Sequence, residues 1–200
     1  RVRAFNAGGN SAFSNETSET TGAGVFNWFV KATGGSDSNT GTSEAQAFAT
    51  YAKAFSIVSP GQSIGLVTGS GTFTERLLGF PNGTVGNPIT LSGTAGQVTV
   101  MPPGSASDRT FHLQNNQYLN IENIIVNNGN LTASRGPRIE DSSHIYFENF
   151  RSTNITLGTN DPNDPQGMLV GSSTGAVDDI LFYLCEIDSI AAAIATNFQH

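Results

Sequence analysis

From Gln62 onward, apolar residues fall in short bursts with a period of two, separated by Gly, Asn and Pro. That period marks strands with one buried face. It predicts strands over Ser63–Thr68, Pro88–Ser92 and Gln97–Met101, and a compact aromatic strand precedes them at Phe26–Lys31 (FNWFVK). Between these the period changes. Phe48, Tyr51, Ala52, Phe55 and Val58 recur at helical spacing, Ser43 and Gln46 have capping-box spacing, and Pro60-Gly61 ends the run. One helix over 43–59 follows from that pattern.

The strand pattern then repeats. Tyr118–Asn128 reads YLNIENIIVNN, and 26 residues later His144–Asn154 reads HIYFENFRSTN. Without gaps, Leu119 aligns with Ile145, Ile121 with Phe147, Glu122 with Glu148, Asn123 with Asn149, Ile124 with Phe150 and Asn128 with Asn154. A looser third copy, Asp179–Ile190 (DILFYLCEIDSI), begins 35 residues further on. There Ile180 and Phe182 keep the inward positions and Cys185 replaces the large apolar residue. An insertion containing Thr159–Gly167 (TNDPNDPQG) accounts for the longer spacing. In each of the first two copies the inward parity reverses at Asn123 or Asn149, so the chain bends there. Asn tolerates the left-handed backbone such a bend requires. A single coil of this kind cannot bury its apolar side, whereas coils stacked ~4.8 Å apart can. The pattern therefore predicts an all-β parallel β-helix (solenoid), with the 43–59 helix covering its open N-terminal edge.

The stretch Gly34-Gly-Ser-Asp…Gly41-Thr, Phe48-Ala-Thr…Lys53-Ala, Pro60-Gly61, Gly69–Glu75 (GSGTFTE) and Asn82-Gly-Thr…Gly86-Asn-Pro-Ile-Thr-Leu resembles the N-terminal region of right-handed parallel β-helix proteins. The resemblance is to the pectate-lyase-like superfamily, particularly its polysaccharide lyase branches, and spans residues 29–155. Gln62 stands where that family usually has an acidic residue after Pro-Gly. The resemblance implies an incomplete right-handed β-helix over 29–200. Ahead of it, Val2, Ala4, Asn6, Gly9, Ser11 and Ser14 are similar to the last two strands of a fibronectin type III domain. Residues 1–21 are accordingly expected to be the C-terminal remnant of such a domain, and 22–28 a linker.

Composition narrows the function. The 200 residues carry 9 Lys+Arg against 16 Asp+Glu, a net charge of −7, which argues against a nucleic-acid partner. No apolar run approaches the ~18 residues of a membrane span. The single cysteine, Cys185, lies in an apolar run and reads as core. In the resembled lyases a Lys or Arg acts as base on later coils, often beside Ca²⁺. The two lysines here, Lys31 and Lys53, precede the coils, so no catalytic residue carries over.

The repeat itself nominates a site. Leu119, Ile121, Ile145 and Phe147 point inward, so Glu122 and Glu148 point outward on adjacent coils, with Tyr183 in the same place on the third. Two close carboxylates repel, which raises one pKa or recruits a cation, and Tyr183 offers a stacking face to a sugar. Asp161 and Asp164 are either Ca²⁺ ligands or part of a plain polar loop. Asp178-Asp179 reads as a solvated turn, and Arg135, Arg138 and Arg151 could bind carboxylates bidentately. His112 and His144 have no carboxylate partner suggested by spacing. The expectation is a monomeric, extracellular, carbohydrate-active protein whose β-helix binds or cleaves a polysaccharide or cell-surface glycan. The alternative is a non-catalytic surface or adhesive β-helix.

Overall fold

The computed structural model describes residues 5–6, 9–10, 25–101, 109–129, 136–156, 168–172, 177–188 and 190–191. Strands β1 (Phe5–Asn6) and β2 (Gly9–Asn10) form a short antiparallel pair. The rest of residues 1–21, on which the fibronectin reading falls, lies outside the described residues. The solenoid begins with β3 (Trp28–Val30), followed by helix α1 (Tyr51–Phe55). Then come β4 (Ser63–Leu66), β5 (Ile89–Gly93), β6 (Val98–Val100), β7 (His112–Gln114), β8 (Gln117–Asn127) and β9 (Arg138–Glu140). The last elements are β10 (Ser143–Thr153), β11 (Ile155–Thr156), β12 (Leu169–Gly171), β13 (Asp178–Tyr183), β14 (Glu186–Ile187) and β15 (Ile190–Ala191).

One parallel stack runs β3-β4-β5-β8-β10-β13, with β6 alongside β8 and β14 alongside β10. A second stack, β7-β9-β12, forms another face, and β11 pairs with β15. This is an all-β parallel solenoid, as the period-two pattern predicts. The repeat register also matches. Ile145 pairs with Leu119, Phe147 with Ile121, Glu148 with Glu122 and Phe150 with Ile124. In the third copy Ile180, Phe182 and Tyr183 pair with Ile145, Phe147 and Glu148.

Stacking concentrates the rings along one column. Phe55 lies 4.9 Å from Phe80, Phe80 5.4 Å from Phe111, Phe111 5.3 Å from Phe150, and Phe147 4.9 Å from Phe182. Phe111, Phe147 and Phe150 are fully buried together with Leu91, Leu119, Ile121, Ile124 and Ile145. Each such side chain removed from water contributes about 1.5–3 kcal/mol.

The bends fall where the parity reverses. Asn123 and Asn149 have φ of 56° and 50°. Their side chains form a ladder across three coils: Asn149 Nδ2 donates to Asn123 Oδ1 (2.8 Å), and Asn123 Nδ2 donates to Ser92 Oγ (3.0 Å). Gln97 Nε2 donates to both the carbonyl and the Oδ1 of Asn149. In the third copy Leu184 occupies this corner at φ 53°.

The predicted 43–59 helix is corrected by the structure. Only Tyr51–Phe55 is α-helical, after a 3₁₀ turn at Glu44–Gln46. Ser43 makes no side-chain cap, and Thr50 is the N-cap instead, its Oγ1 accepting from the Lys53 N–H at 3.1 Å. The reason is a competing set of backbone partners. Phe48 bridges Val30 in parallel, donating to the Phe29 carbonyl and accepting from the Lys31 N–H. Asp37 accepts the Ala49 and Thr50 N–H groups. The Phe48 ring then fills the space over Gly41, where a Cβ would come within 2.1 Å of it. On α1 the buried positions are Tyr51 and Ala54, with Phe55 partly buried against the core, while Ala52 is exposed. The strand β3 precedes α1, so the helix joins the first and second stacked strands.

Two outcomes test this packing. The Tyr51 hydroxyl is buried with no hydrogen-bond partner among the described residues, and burial, then Glu75, pushes its pKa well above the ordinary value. Tyr51→Phe is expected to stabilise the chain by about 1 kcal/mol in urea denaturation, while Tyr51→Ala costs about 3–5 kcal/mol. A Phe variant less stable than wild type would mean that the hydroxyl has a partner. At the corner, Asn149→Ala is expected to cost about 1–3 kcal/mol in the same assay, through left-handed strain and lost hydrogen bonds.

Candidate functional site

The outer side of the main stack carries two parallel rows. One runs Thr90, Asn120, Tyr146, Leu181, and the other Ser92, Glu122, Glu148, Tyr183. Their order follows from the pleat, since the inward partners Leu91, Ile121, Phe147 and Phe182 alternate with them. Ser92 is 3 % exposed, drawn in by Asn123. Glu122, Tyr146 and Glu148 are half-buried, and Tyr183 is exposed. Asn120 Nδ2 donates to Thr90 Oγ1 at 3.3 Å. The Tyr146 hydroxyl donates to Glu148 Oε2 at 3.0 Å.

The structure thus brings Glu122, Glu148 and Tyr183 together in the row the repeat predicts. Burial, and after it the Glu148 charge, pushes the Glu122 carboxyl above the ordinary glutamate range. Burial and the hydrogen bond to Glu148 push the Tyr146 hydroxyl up as well. The other two candidates, Asp161 and Asp164, lie outside the described residues. Among the described residues no three His, Cys, Asp or Glu side chains cluster to hold a metal ion. Glu122 and Glu148 alone fall well short of the 6–8 oxygens that Ca²⁺ takes.

At the edge of this face a corner column joins Tyr118, His144 and Asp179. All three have left-handed backbones, with φ of 55°, 55° and 50°. The Tyr118 and His144 rings stack at 4.5 Å, 11° from parallel, and His144 Nδ1 lies 2.9 Å from Asp179 Oδ2. Sequence separation hid this partner, although the three residues open the three aligned copies. Asp178 and Asp179 are strand residues, not a turn.

The arginines are engaged within the solenoid. Arg138 Nη2 donates to Glu140 Oε1 at 2.5 Å, and His112 Nε2 lies 3.4 Å from Glu140 Oε2. Glu140 is 5 % exposed, and burial first among the causes lowers the His112 pKa. Arg151 bonds Asp188 and lies 3.5 Å from Glu186. That hydrogen bond, first among the causes, holds the Asp188 carboxyl below the usual range. Arg135 lies outside the described residues.

Fold and face together define a β-solenoid with an acidic and aromatic outer row. No family model and no curated relative matches the chain. Among solved structures, it is similar to a GH136 lacto-N-biosidase from Eubacterium ramulus, in its selenomethionine form, with a TM-score of 0.61 and 15 % identity over 79 % of this chain. The native form of that protein aligns with a TM-score of 0.48 and 14 % identity, over 76 % of this chain and 36 % of that one. A rhamnogalacturonan lyase aligns at 0.33 and 13 %, over 78 % of this chain and 65 % of that one. The chain spans about a third (33 %) of the first neighbour's length. At these identities the likeness establishes the solenoid fold. Among the described residues no helix is long and apolar enough to cross a membrane.

The raised Glu122 pKa gives a signed prediction. The folded state holds a proton on Glu122 more tightly than the unfolded chain does. The resulting stability is complete below the ordinary glutamate pKa and is lost as pH rises through the raised one. Glu122→Gln is therefore expected to raise Tm by a few degrees at neutral pH. The advantage should vanish by about pH 3, below the ordinary glutamate pKa, where wild-type Glu122 is protonated in both states. An equal Tm difference at both pH values would remove the electrostatic explanation.

Proposed function

We propose that this chain is part of a secreted carbohydrate-active protein that contacts a glycan along the row Glu122, Glu148 and Tyr183. The observation that carries the reading is the row itself. Two half-buried carboxylates and an exposed phenol ring stand in register on successive coils, ~4.8 Å apart. Carboxylates accept hydrogen bonds from sugar hydroxyls, and an aromatic face packs against a pyranose. A flat, rigid sheet suits an extended polymer, and the carbohydrate-active neighbours support the same class. The acidic charge of the face points to neutral sugars before uronates.

The test is titration of the chain against a panel of neutral and uronate oligosaccharides by isothermal calorimetry, with and without Ca²⁺. A neutral ligand is expected to bind, and Glu122→Gln with Glu148→Gln, or Tyr183→Ala alone, to weaken it at least about tenfold, a loss of ~1.4 kcal/mol. Absence of binding across the panel, or unchanged affinity in both variants, would leave the non-catalytic structural solenoid as the reading.

A further inference from the structure

The carboxylate pair on the outer row has a geometry of its own. Glu122 and Glu148 are partners in register on β8 and β10, so their backbones stand one strand spacing apart, ~4.8 Å. Both are half-buried, and as two glutamates they reach equally far from the sheet. Their surroundings differ. The Tyr146 hydroxyl donates to Glu148 Oε2 at 3.0 Å, a bond that suits an ionised carboxylate, which only accepts. Among the described residues no donor is seen for Glu122, and burial, then the Glu148 charge, pushes this carboxyl above the ordinary range. The other titratable groups facing the pair are Tyr146 on β10 and Tyr183 on β13. From β5 come the uncharged Thr90 and Ser92.

We propose that this pair hydrolyses a glycosidic bond between neutral sugars with retention of configuration, Glu148 as nucleophile and Glu122 as general acid and base. The assignment rests on the glycan reading of the row and adds a reaction to it. Separation decides the stereochemistry. Retaining pairs work at ~5–5.5 Å, whereas inverting pairs stand ~6.5–9.5 Å apart to admit a water. Side chains that leave the sheet in parallel keep about one strand spacing between them, which fits the first class and is too short for the second. Environment decides the roles, since two carboxyls held in unlike surroundings divide into acid and nucleophile. The steps balance. A Glu148 oxygen bonds to the anomeric carbon as the glycosidic C–O bond breaks, and the leaving oxygen keeps that electron pair and takes the Glu122 proton. Water then bonds to the same carbon and gives a proton to Glu122, while the bond from Glu148 to the sugar breaks and restores the carboxylate. Glu148 lies between Glu122 and Tyr183 in the row. The esterified sugar therefore packs on the Tyr183 side and the leaving sugar on the Glu122 side.

The full chain is incubated with 2-deoxy-2-fluoroglycosyl fluorides of the gluco, galacto, manno and xylo series, in both anomers, and with the matching 4-nitrophenyl glycosides. Such fluorides form the ester quickly and hydrolyse slowly, and their leaving group needs no proton. A mass gain of one fluorosugar is expected on Glu148 in peptide mapping, retained in Glu122→Gln and lost in Glu148→Gln. Labelling of the wild-type chain carries the test if a variant fails to fold. The first product from the nitrophenyl glycoside should keep its anomeric configuration in proton NMR. On an oligosaccharide, whose leaving group needs the proton, Glu122→Gln should slow release about 10²–10⁴-fold. Label on another residue, label that persists in Glu148→Gln, or an inverted product overturns the assignment. So does a chain that binds a neutral oligosaccharide in the calorimeter yet is neither labelled nor active, and the glycan reading then stands. Failure to bind any sugar removes both.

Discussion

No coil of this chain can bury its own apolar side, and the remaining architecture follows from that constraint. A strand such as β8 exposes Leu119, Ile121, Ile124 and Val126 on one side of a ribbon one residue thick. Only another coil directly above or below removes them from water. The ring column from Phe55 through Phe80, Phe111 and Phe150, with Phe147 carrying it to Phe182, is the result. It also explains the N-terminal end. Among the described residues β3 ends the stack, and Phe48 bridges Val30 in parallel there, with Tyr51 and Ala54 buried beyond it. A short helix suffices, because Phe48 reaches its place from extended backbone paired with β3.

Stacking ties the corners to the faces. A left-handed residue at Asn123 and Asn149 reverses which side of the chain looks inward, so Glu122 looks out while Ile124 looks in. The Asn ladder lowers the cost of that bend by giving each side-chain amide a partner on the next coil. The corner at Tyr118, His144 and Asp179 uses a different device. There the left-handed backbone is held by ring stacking and by an imidazole–carboxylate hydrogen bond. A residue with φ near 55° that is neither Gly nor Asn carries strain, and that strain persists only where packing over-determines it. The outer rows are therefore set by rigid elements on both sides.

How much of this was legible in the sequence depends on whether the signal was periodic. The register was legible because Glu122-Asn123 and Glu148-Asn149 recur at one spacing within matching apolar frames. The candidate row followed from parity alone. The helix was misread because Phe48, Tyr51 and Phe55 fit a helical stripe equally well whether Phe48 is helical or bridged to Val30. Long-range backbone pairing decides that, and spacing does not record it. The burial of Glu140 was invisible for a related reason. It has the outward parity of a strand residue, and its carboxylate meets Arg138 and His112, from the same and the neighbouring coil. The His144 partner lay 35 residues away, yet at the same position of the repeat, so the alignment contained it.

The row containing Glu122 and Glu148 can be judged by what stacking normally does with polar positions. Amide columns gain from repetition, since each Asn donates to one neighbour and accepts from the other. Carboxylate columns lose, since each added coil brings another like charge within a strand spacing. Among the described residues the loss is confined to two coils: Ser92 precedes the pair and Tyr183 follows it. The Tyr146 hydroxyl offsets part of the repulsion by donating to Glu148. Among the described residues no donor is seen for Glu122, and burial works against its charge. Its carboxylate is thus the group on this face with most to gain from an incoming hydrogen-bond donor. Under the proposed reading, a sugar hydroxyl beside Glu122 would supply that donor without adding charge.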